Sequence, residues 1–150
     1  MDLPIRRLLR PRDLDEALRL LGEHPGSLPL AGGTDLVVQL RGGRRTVDTV
    51  VDVGSIDLSG IHERQEGIEI GAATPMEAIA RDPRLRAGWP SLSQAAALVG
   101  AWPIQCRATI GGNLANASPA ADSAPPLLVA GAVLRLRSYR GARTVPLEEF

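Results

Sequence analysis

Two short segments with adjacent glycines place the strongest constraint on how this chain can fold. The first, AGGTD, runs from Ala31 to Asp35 and directly follows an apolar segment. The second, TIGGN, begins at Thr109 and is followed by small polar residues and alanines. Glycine has no Cβ, so the backbone can adopt a positive φ and other groups can approach it closely. Each segment is therefore a candidate tight turn or a candidate site where a ligand meets the backbone.

Composition narrows the classes of function. Aromatic residues make up 3% of the chain, so the core must be built from Leu, Val, Ile and Ala. All 17 basic residues are arginines, they balance 17 acidic residues, and they are spread along the sequence. Nucleic-acid binding requires a denser basic face. The sequence therefore predicts a globular domain that does not bind nucleic acid.

Cysteine and histidine are too few for several kinds of site. With Cys106 alone, the chain can form no internal disulfide and can hold no iron–sulfur cluster by itself. The histidines His24 and His62 stand singly in polar surroundings, so no metal site is predicted. The sequence also shows no secretory signal and no segment that approaches a membrane span, which predicts a cytoplasmic protein.

Residues 1–53 predict a small α/β unit. Asp13 and Glu16 have the spacing of a capping box, and apolar residues follow with helical periodicity. The predicted elements are a helix over 12–24, a strand over 27–30, a short helix over 36–40 capped by Thr34 or Asp35, and a strand over 46–53. AGGTD thus lies between a strand and a helix.

Residues 54–150 predict a second unit. Thr74, Pro75 and Glu77 resemble a capping box with Pro at the first helical position, and Asp82-Pro83 is expected to end that helix. The other predicted elements are a hairpin over 63–73 with Ile68 and Ile70 on one face, a helix over 90–99, a helix over 127–130, and strands over 133–137 and toward Leu147.

Glycine-rich turns and helix N-termini can bind anions, because their backbone N–H groups carry fixed partial positive charge. Neither segment is a P-loop or a GxGxxG motif, which argues against a Rossmann dinucleotide site. The residues alone leave two interpretations open: two ordinary turns, or two anion-binding loops that face each other across a cleft. Asp122 is likewise either a helix cap or a ligand contact. These glycine patterns do not identify a ligand.

Three segments of the chain resemble a known protein family. The segments LAGGTDLVVQL, RATIGGNLANASPAADSAPPLLVAGA and VPLEEF resemble the FAD-binding subunits of molybdenum hydroxylases. That family includes the medium subunits of carbon monoxide dehydrogenase, the corresponding subunits of 4-hydroxybenzoyl-CoA reductase and nicotine dehydrogenase, and the FAD domain of xanthine dehydrogenase. The resemblance covers nearly the whole chain.

The resemblance implies an α+β fold of the vanillyl-alcohol-oxidase (PCMH) type, in which two α/β subdomains hold FAD between them. Residues 1–53 would form the first subdomain and residues 54–150 the second. Family subunits are nearly twice as long, so the second subdomain is expected to be incomplete at its C-terminal end. The residues expected to line the diphosphate are Ala31, Gly32, Gly33, Thr34, Asp35, Thr109, Gly111, Gly112 and Asn113, while Asn116 and Asp122 would reach flavin-side or ribityl hydroxyls.

The function implied is electron relay. FAD would receive electrons from iron–sulfur clusters on a small subunit, after oxidation of substrate at a molybdopterin-containing large subunit, and would pass them to NAD, a quinone or another acceptor. The flavin does this chemistry, so no residue of the chain is expected to be catalytic. Two alternatives remain: a flavin-free interaction module of the same fold, and a stand-alone flavoenzyme such as an enolpyruvyl-sugar reductase.

The segment before TIGGN departs from the family pattern. Pro103 stands where Gln is common, and Cys106 where Asn is common. This segment lies near the flavin in the family, so the departure concerns the flavin's surroundings. Cys106 is expected to be a small, partly buried replacement without a redox role.

Overall fold

A computed structural model describes residues 3–150 and shows eight short helices, seven strands and a final 3₁₀ turn over this range. The elements, in chain order, are β1 (Arg7–Leu9), α1 (Leu14–Glu23), β2 (Leu28–Leu30), α2 (Leu36–Arg41), β3 (Thr49–Asp52), β4 (Ile61–Arg64), β5 (Gly67–Ile70), α3 (Met76–Arg81), α4 (Pro83–Gly88), α5 (Pro90–Leu98), α6 (Trp102–Gln105), α7 (Ile110–Ala115), α8 (Ala124–Val129), β6 (Val133–Ser138), β7 (Gly141–Pro146) and the 3₁₀ turn Leu147–Glu149.

A three-stranded parallel sheet organises the first part of the chain, with β3 between β1 and β2. Val50 and Val51 of β3 are fully buried, and successive strand residues point to opposite faces of a sheet. Val51 packs with Ala17 of α1 on one face, whereas Val50 packs with Leu40 of α2 on the other. Since β2 ends at Leu30, the AGGTD segment lies at the carboxyl end of this buried sheet.

Four helices and a hairpin surround the core of the second part. The hairpin β4–β5 is antiparallel and packs its isoleucines, including Ile68 and Ile70, against this core. The buried residues of this cluster are Met76, Ile79, Leu85, Leu92, Ala96, Ala108 and Ile110. Because Ala108 and Ile110 belong to it, the TIGGN segment is anchored directly in the second core.

The predicted secondary structure is largely confirmed. The helices expected at 12–24, 36–40 and 90–99 appear as α1, α2 and α5, and the hairpin and the strand at 133–137 are also present. The cap at Asp13 is confirmed, since its Oδ1 accepts a hydrogen bond from the Glu16 N–H at 2.8 Å. The division at residues 53 and 54 stays a prediction, and Ile56 packs into the first part's core.

Several local predictions are wrong. Thr74 does not cap α3: its Oγ1 accepts from the Gly60 N–H at 2.9 Å and donates to the Gly60 carbonyl at 3.1 Å. Pro75 occupies the cap position in its place, so it is not the first helical residue, and no side-chain cap bond forms there. Neither Thr34 nor Asp35 caps α2 through a side-chain bond to a backbone N–H; Asp35 sits at the cap position without one. Thr74 is buried, and its hydroxyl is already used by the backbone of Gly60.

The second glycine segment also differs from expectation. TIGGN is not an open loop: Thr109 is the N-cap residue of α7, and both glycines lie inside the helix. The strand β1 and the helices α4 and α6 were not predicted. Each spans six residues or fewer, too short for a clear periodic pattern.

Candidate functional site

The AGGTD segment forms a turn between β2 and α2. Gly33 has φ +77°, a left-handed conformation that favours glycine. A Cβ there would also lie 3.2 Å from the side chains of Leu30 and Val37. Within the described residues, the backbone N–H groups of Gly32–Asp35 donate to no protein acceptor. This turn therefore presents a row of free backbone donors, which matches an anion.

The TIGGN segment is tied to the second core through its backbone. The Ile110 N–H donates to the Thr74 carbonyl at 3.1 Å, and the Gly111 N–H donates to the Ala72 carbonyl at 2.9 Å. The Gly112 N–H donates to Thr109 Oγ1 at 3.1 Å, and the Asn113 N–H donates to the Thr109 carbonyl at 2.9 Å. The backbone donors of this segment are therefore already used within the protein, in contrast to those of AGGTD.

The structure packs AGGTD against the residues that directly precede TIGGN. An ideal Cβ on Gly32 would lie 1.8 Å from the carbonyl oxygen of Arg107, two residues before Thr109. Gln39 of α2 donates from Nε2 to Oδ1 of Asn116, at the end of α7, at 3.0 Å. These residues are 77 positions apart in the sequence. The two halves of the predicted site are thus held next to each other by contacts that flank TIGGN.

The glycines serve different purposes. Gly32 makes room for the Arg107 backbone, and Gly111 makes room for Ala72, whose carbonyl oxygen would lie 2.7 Å from a Cβ. At Gly112 a Cβ would meet only Thr109 Oγ1, at 2.9 Å, so the remaining space beside it is open. Gly32 and Gly111 are therefore needed for close packing within the protein, whereas Gly112 has open space beside it. That these glycines line the FAD diphosphate stays a prediction.

Downstream of TIGGN, one predicted residue is exposed and its neighbour is buried. Asp122 is exposed, and its carboxylate makes no hydrogen bond or ion pair within residues 3–150. Ser123, which is fully buried, occupies the N-cap position of α8 and donates from Oγ to Oδ1 of Asn113 at 2.5 Å. Asp122 is therefore not the helix cap, and its carboxylate is free to accept from a ligand.

Sequence patterns did not identify Gln39, Ser123 or Arg107. Gln39 lies on a predicted helix but its partner is remote in sequence, so no local spacing could reveal the contact. Ser123 is one of several small polar residues in its segment, and only its complete burial distinguishes it. Arg107 contributes its carbonyl oxygen, an atom that every residue has.

The strongest electrostatic perturbation lies away from this surface. The Arg84 guanidinium, 2.6 Å from Asp82, lowers the pKa of that carboxyl from 3.8 to about 2. Hydrogen bonds from the backbone N–H groups of Arg84 and Leu85 lower this pKa further.

Cys106 is partly buried, as expected. Within the described part of the chain, no cluster of three or more His, Cys, Asp or Glu side chains could hold a metal ion. Over the same range, no helix is long and apolar enough to cross a membrane.

Comparison with known proteins gives a consistent result. The family model described as "FAD binding domain in molybdopterin dehydrogenase" matches residues 4–150. A putative xanthine dehydrogenase FAD-binding subunit from Escherichia coli K12 is 36% identical over 143 residues, which cover 94% of this chain and 49% of that protein. The nicotinate dehydrogenase FAD-subunit of Eubacterium barkeri is 34% identical over 93% of this chain and 48% of its own length.

Solved structures agree with the sequence matches. Carbon monoxide dehydrogenase from Hydrogenophaga pseudoflava, in a form lacking the Mo-pyranopterin moiety, matches with a TM-score of 0.95 at 30% identity, over 100% of this chain and 53% of that chain. Quinoline 2-oxidoreductase from Pseudomonas putida 86 matches with a TM-score of 0.94 at 26% identity, over the same shares. The chain thus spans about half the length of the relatives it matches.

These matches confirm the predicted α+β fold of the vanillyl-alcohol-oxidase type. The relatives are named as dehydrogenase subunits, which are components of oxidoreductases. Since the family model covers residues 4–150, the chain belongs to the family of FAD-binding domains of molybdopterin dehydrogenases.

Proposed function

We propose that this chain binds FAD across the two glycine segments and serves as the flavin-bearing part of a molybdenum-dependent dehydrogenase. The observation that carries the proposal is the contact of Gly32 with the Arg107 backbone in a chain of this family. This contact joins a turn with free N–H donors to a helix bearing polar side chains. Neither segment alone offers both free backbone N–H donors and polar side chains.

The first segment is suited to the diphosphate. The N–H groups of Gly32, Gly33, Thr34 and Asp35 would donate to phosphoryl oxygens, because they have no acceptor among the described residues. Backbone donors held in a rigid turn provide fixed partial charge without a lysine. Ala31 sets the start of this turn at the end of β2.

The second segment would contribute side chains and space. Asn113, Asn116 and Asp122 each have hydrogen-bonding capacity that is unused within the described residues. Thr109 caps α7 and so fixes the position of the helix, while Gly111 and Gly112 keep its first turn close to Ala72 and open on one side. Asp122 would accept hydrogen bonds from ligand hydroxyls.

When bound, FAD would supply one- and two-electron transfer, and the chain would bind and orient it. We propose that electrons arrive from an iron–sulfur small subunit, after oxidation of substrate at a molybdopterin-containing large subunit, and leave to NAD, a quinone or another acceptor. The relay is tested by mixing the flavin-loaded chain with a reduced iron–sulfur subunit of such a complex. Rapid bleaching of the flavin absorbance is expected, and an unreactive flavin would contradict the relay.

Flavin binding itself is tested by retention of FAD through desalting, with Gly112→Val as the variant. The valine side chain would fill the open space beside Gly112, so the variant is expected to lose FAD while remaining folded. Gly88→Ala is the control, since a Cβ at Gly88 has no neighbour within 4 Å. Full retention by Gly112→Val would show that FAD does not use this side of α7. A wild-type chain that retains no FAD would favour a flavin-free module.

A further inference from the structure

Two asparagines of the second segment have their carbonyl oxygens occupied by protein donors. Ser123 Oγ donates to Oδ1 of Asn113 at 2.5 Å, and Gln39 Nε2 donates to Oδ1 of Asn116 at 3.0 Å. Neither Nδ2 group has a protein acceptor within residues 3–150. Each side-chain amide is therefore held with its oxygen toward a protein donor, and its Nδ2 group is left to donate to a ligand.

These amides lie on the same side of α7. Asn113 is within the helix, and Asn116, three residues later, keeps helical dihedral angles of φ −69° and ψ −18°. Residues three apart on a helix are neighbours on its surface. Because the backbone N–H groups of Ile110–Asn113 are already bonded within the protein, the two Nδ2 groups are the main donors that this segment retains.

We propose that Ser123 and Gln39 are positioning residues that fix the amides of Asn113 and Asn116 as a pair of donors for the FAD diphosphate. This inference rests on the proposed function. It assigns Asn116 to phosphoryl oxygens, in place of the ribityl or flavin-side hydroxyls expected from the family resemblance. A phosphoryl oxygen only accepts hydrogen bonds, so it requires an amide held with its N–H groups outward, whereas a hydroxyl can pair with either end of the amide.

Burial explains why each partner holds its asparagine. Ser123 is fully buried and its hydroxyl has no other acceptor among the described residues, so a rotated Asn113 amide would leave the hydroxyl hydrogen unpaired. Gln39 and Asn116 are partly buried and join the two parts of the chain, so their hydrogen bond also fixes the distance between α2 and α7. A change at either partner frees an amide to rotate and to present its oxygen to the diphosphate.

The test compares the affinity for FAD with that for riboflavin, which has no diphosphate, by quenching of flavin fluorescence. Gln39→Glu is the sharpest variant, because a carboxylate accepts from Asn116 Nδ2 and turns its Oδ1 outward. Ser123→Ala removes the donor to Asn113, and Ser123→Thr restores a hydroxyl. Gln94→Ala and Ser91→Ala, at exposed positions of α5, are the matched controls.

We expect Gln39→Glu and Ser123→Ala each to weaken FAD binding about tenfold or more, while riboflavin affinity changes by less than about twofold. Ser123→Thr should restore most of the FAD affinity. A general structural defect would weaken both ligands equally, so an unchanged ratio of the two affinities in Gln39→Glu would overturn the inference and leave the proposed function intact. A wild-type chain that binds neither flavin would overturn both.

Discussion

Substitution of Gly32 by alanine tests whether AGGTD packs against the Arg107 backbone, two residues before TIGGN. The added Cβ would lie 1.8 Å from the Arg107 carbonyl oxygen and 2.6 Å from its carbonyl carbon. Ordinary contact begins near 3.4 Å, so one backbone must move by about 1.6 Å. Overpacking of this kind costs about 1–3 kcal/mol, and here a backbone must yield, since no flexible side chain can absorb the shift. We expect Gly32→Ala to lower the free energy of unfolding by about 3 kcal/mol.

Urea denaturation followed by far-UV circular dichroism measures this loss, and thermal unfolding should show a Tm lower by about 6–12 °C. Gly88→Ala at the end of α4 is the control, because its Cβ meets no atom within 4 Å and its φ is ordinary. That variant should match the wild type or gain up to about 1 kcal/mol. If Gly32→Ala were as stable as Gly88→Ala, the contact between Gly32 and Arg107 would not exist as described.

Three further predictions concern the second core and its caps. Ile79→Ala should lower the free energy of unfolding by about 2–5 kcal/mol in urea denaturation, because Ile79 is fully buried, and a loss below about 1 kcal/mol would contradict that burial. Thr109→Val should cost about 1 kcal/mol by the same measurement, since it removes the oxygen that accepts from the Gly112 N–H, and Thr109→Ser should retain stability. Asp82→Asn should cost about 1–2 kcal/mol at pH 7, a value reduced for the partial exposure of Arg84. The folded-state pKa of Asp82 lies below the unfolded value, so this stabilisation is present above pH 3.8 and is lost as pH falls toward about 2. If the difference in unfolding free energy between Asp82→Asn and wild type did not change with pH, this prediction would be refuted.

Apolar periodicity and helix-capping residues predict much of the secondary structure correctly. The helix α1 was identified because Asp13, Glu16 and the apolar residues after them act locally. The hairpin β4–β5 was identified because Ile68 and Ile70 alternate with polar residues. Such patterns depend on neighbours in the sequence, so they can be read without knowledge of the tertiary structure.

Tertiary contacts account for the local errors. Thr74 has the sequence context of a helix cap, yet it bonds Gly60, fourteen residues away. The glycines of TIGGN indicate a loop by propensity, yet they lie in α7, where the absence of a Cβ on Gly111 permits contact with Ala72. Long-range packing overrides intrinsic propensity at these positions.

The candidate site was predicted in part. Its two segments are recognisable from sequence, and the structure shows AGGTD packed against the residues just before TIGGN. The sequence could not show which backbone donors remain free, because that depends on partners such as Ala72 and Thr74 from another part of the chain. It also could not identify Gln39 or Ser123, whose relevance arises only from their contacts with Asn116 and Asn113.

The central claim is that the two glycine segments together form an FAD site. Isothermal titration of FAD into the 150-residue protein tests it most directly. We expect saturable binding of one FAD per chain, with affinity lost in Gly112→Val. Absence of any binding heat for the folded wild-type chain, under conditions where its stability is confirmed, would contradict the claim.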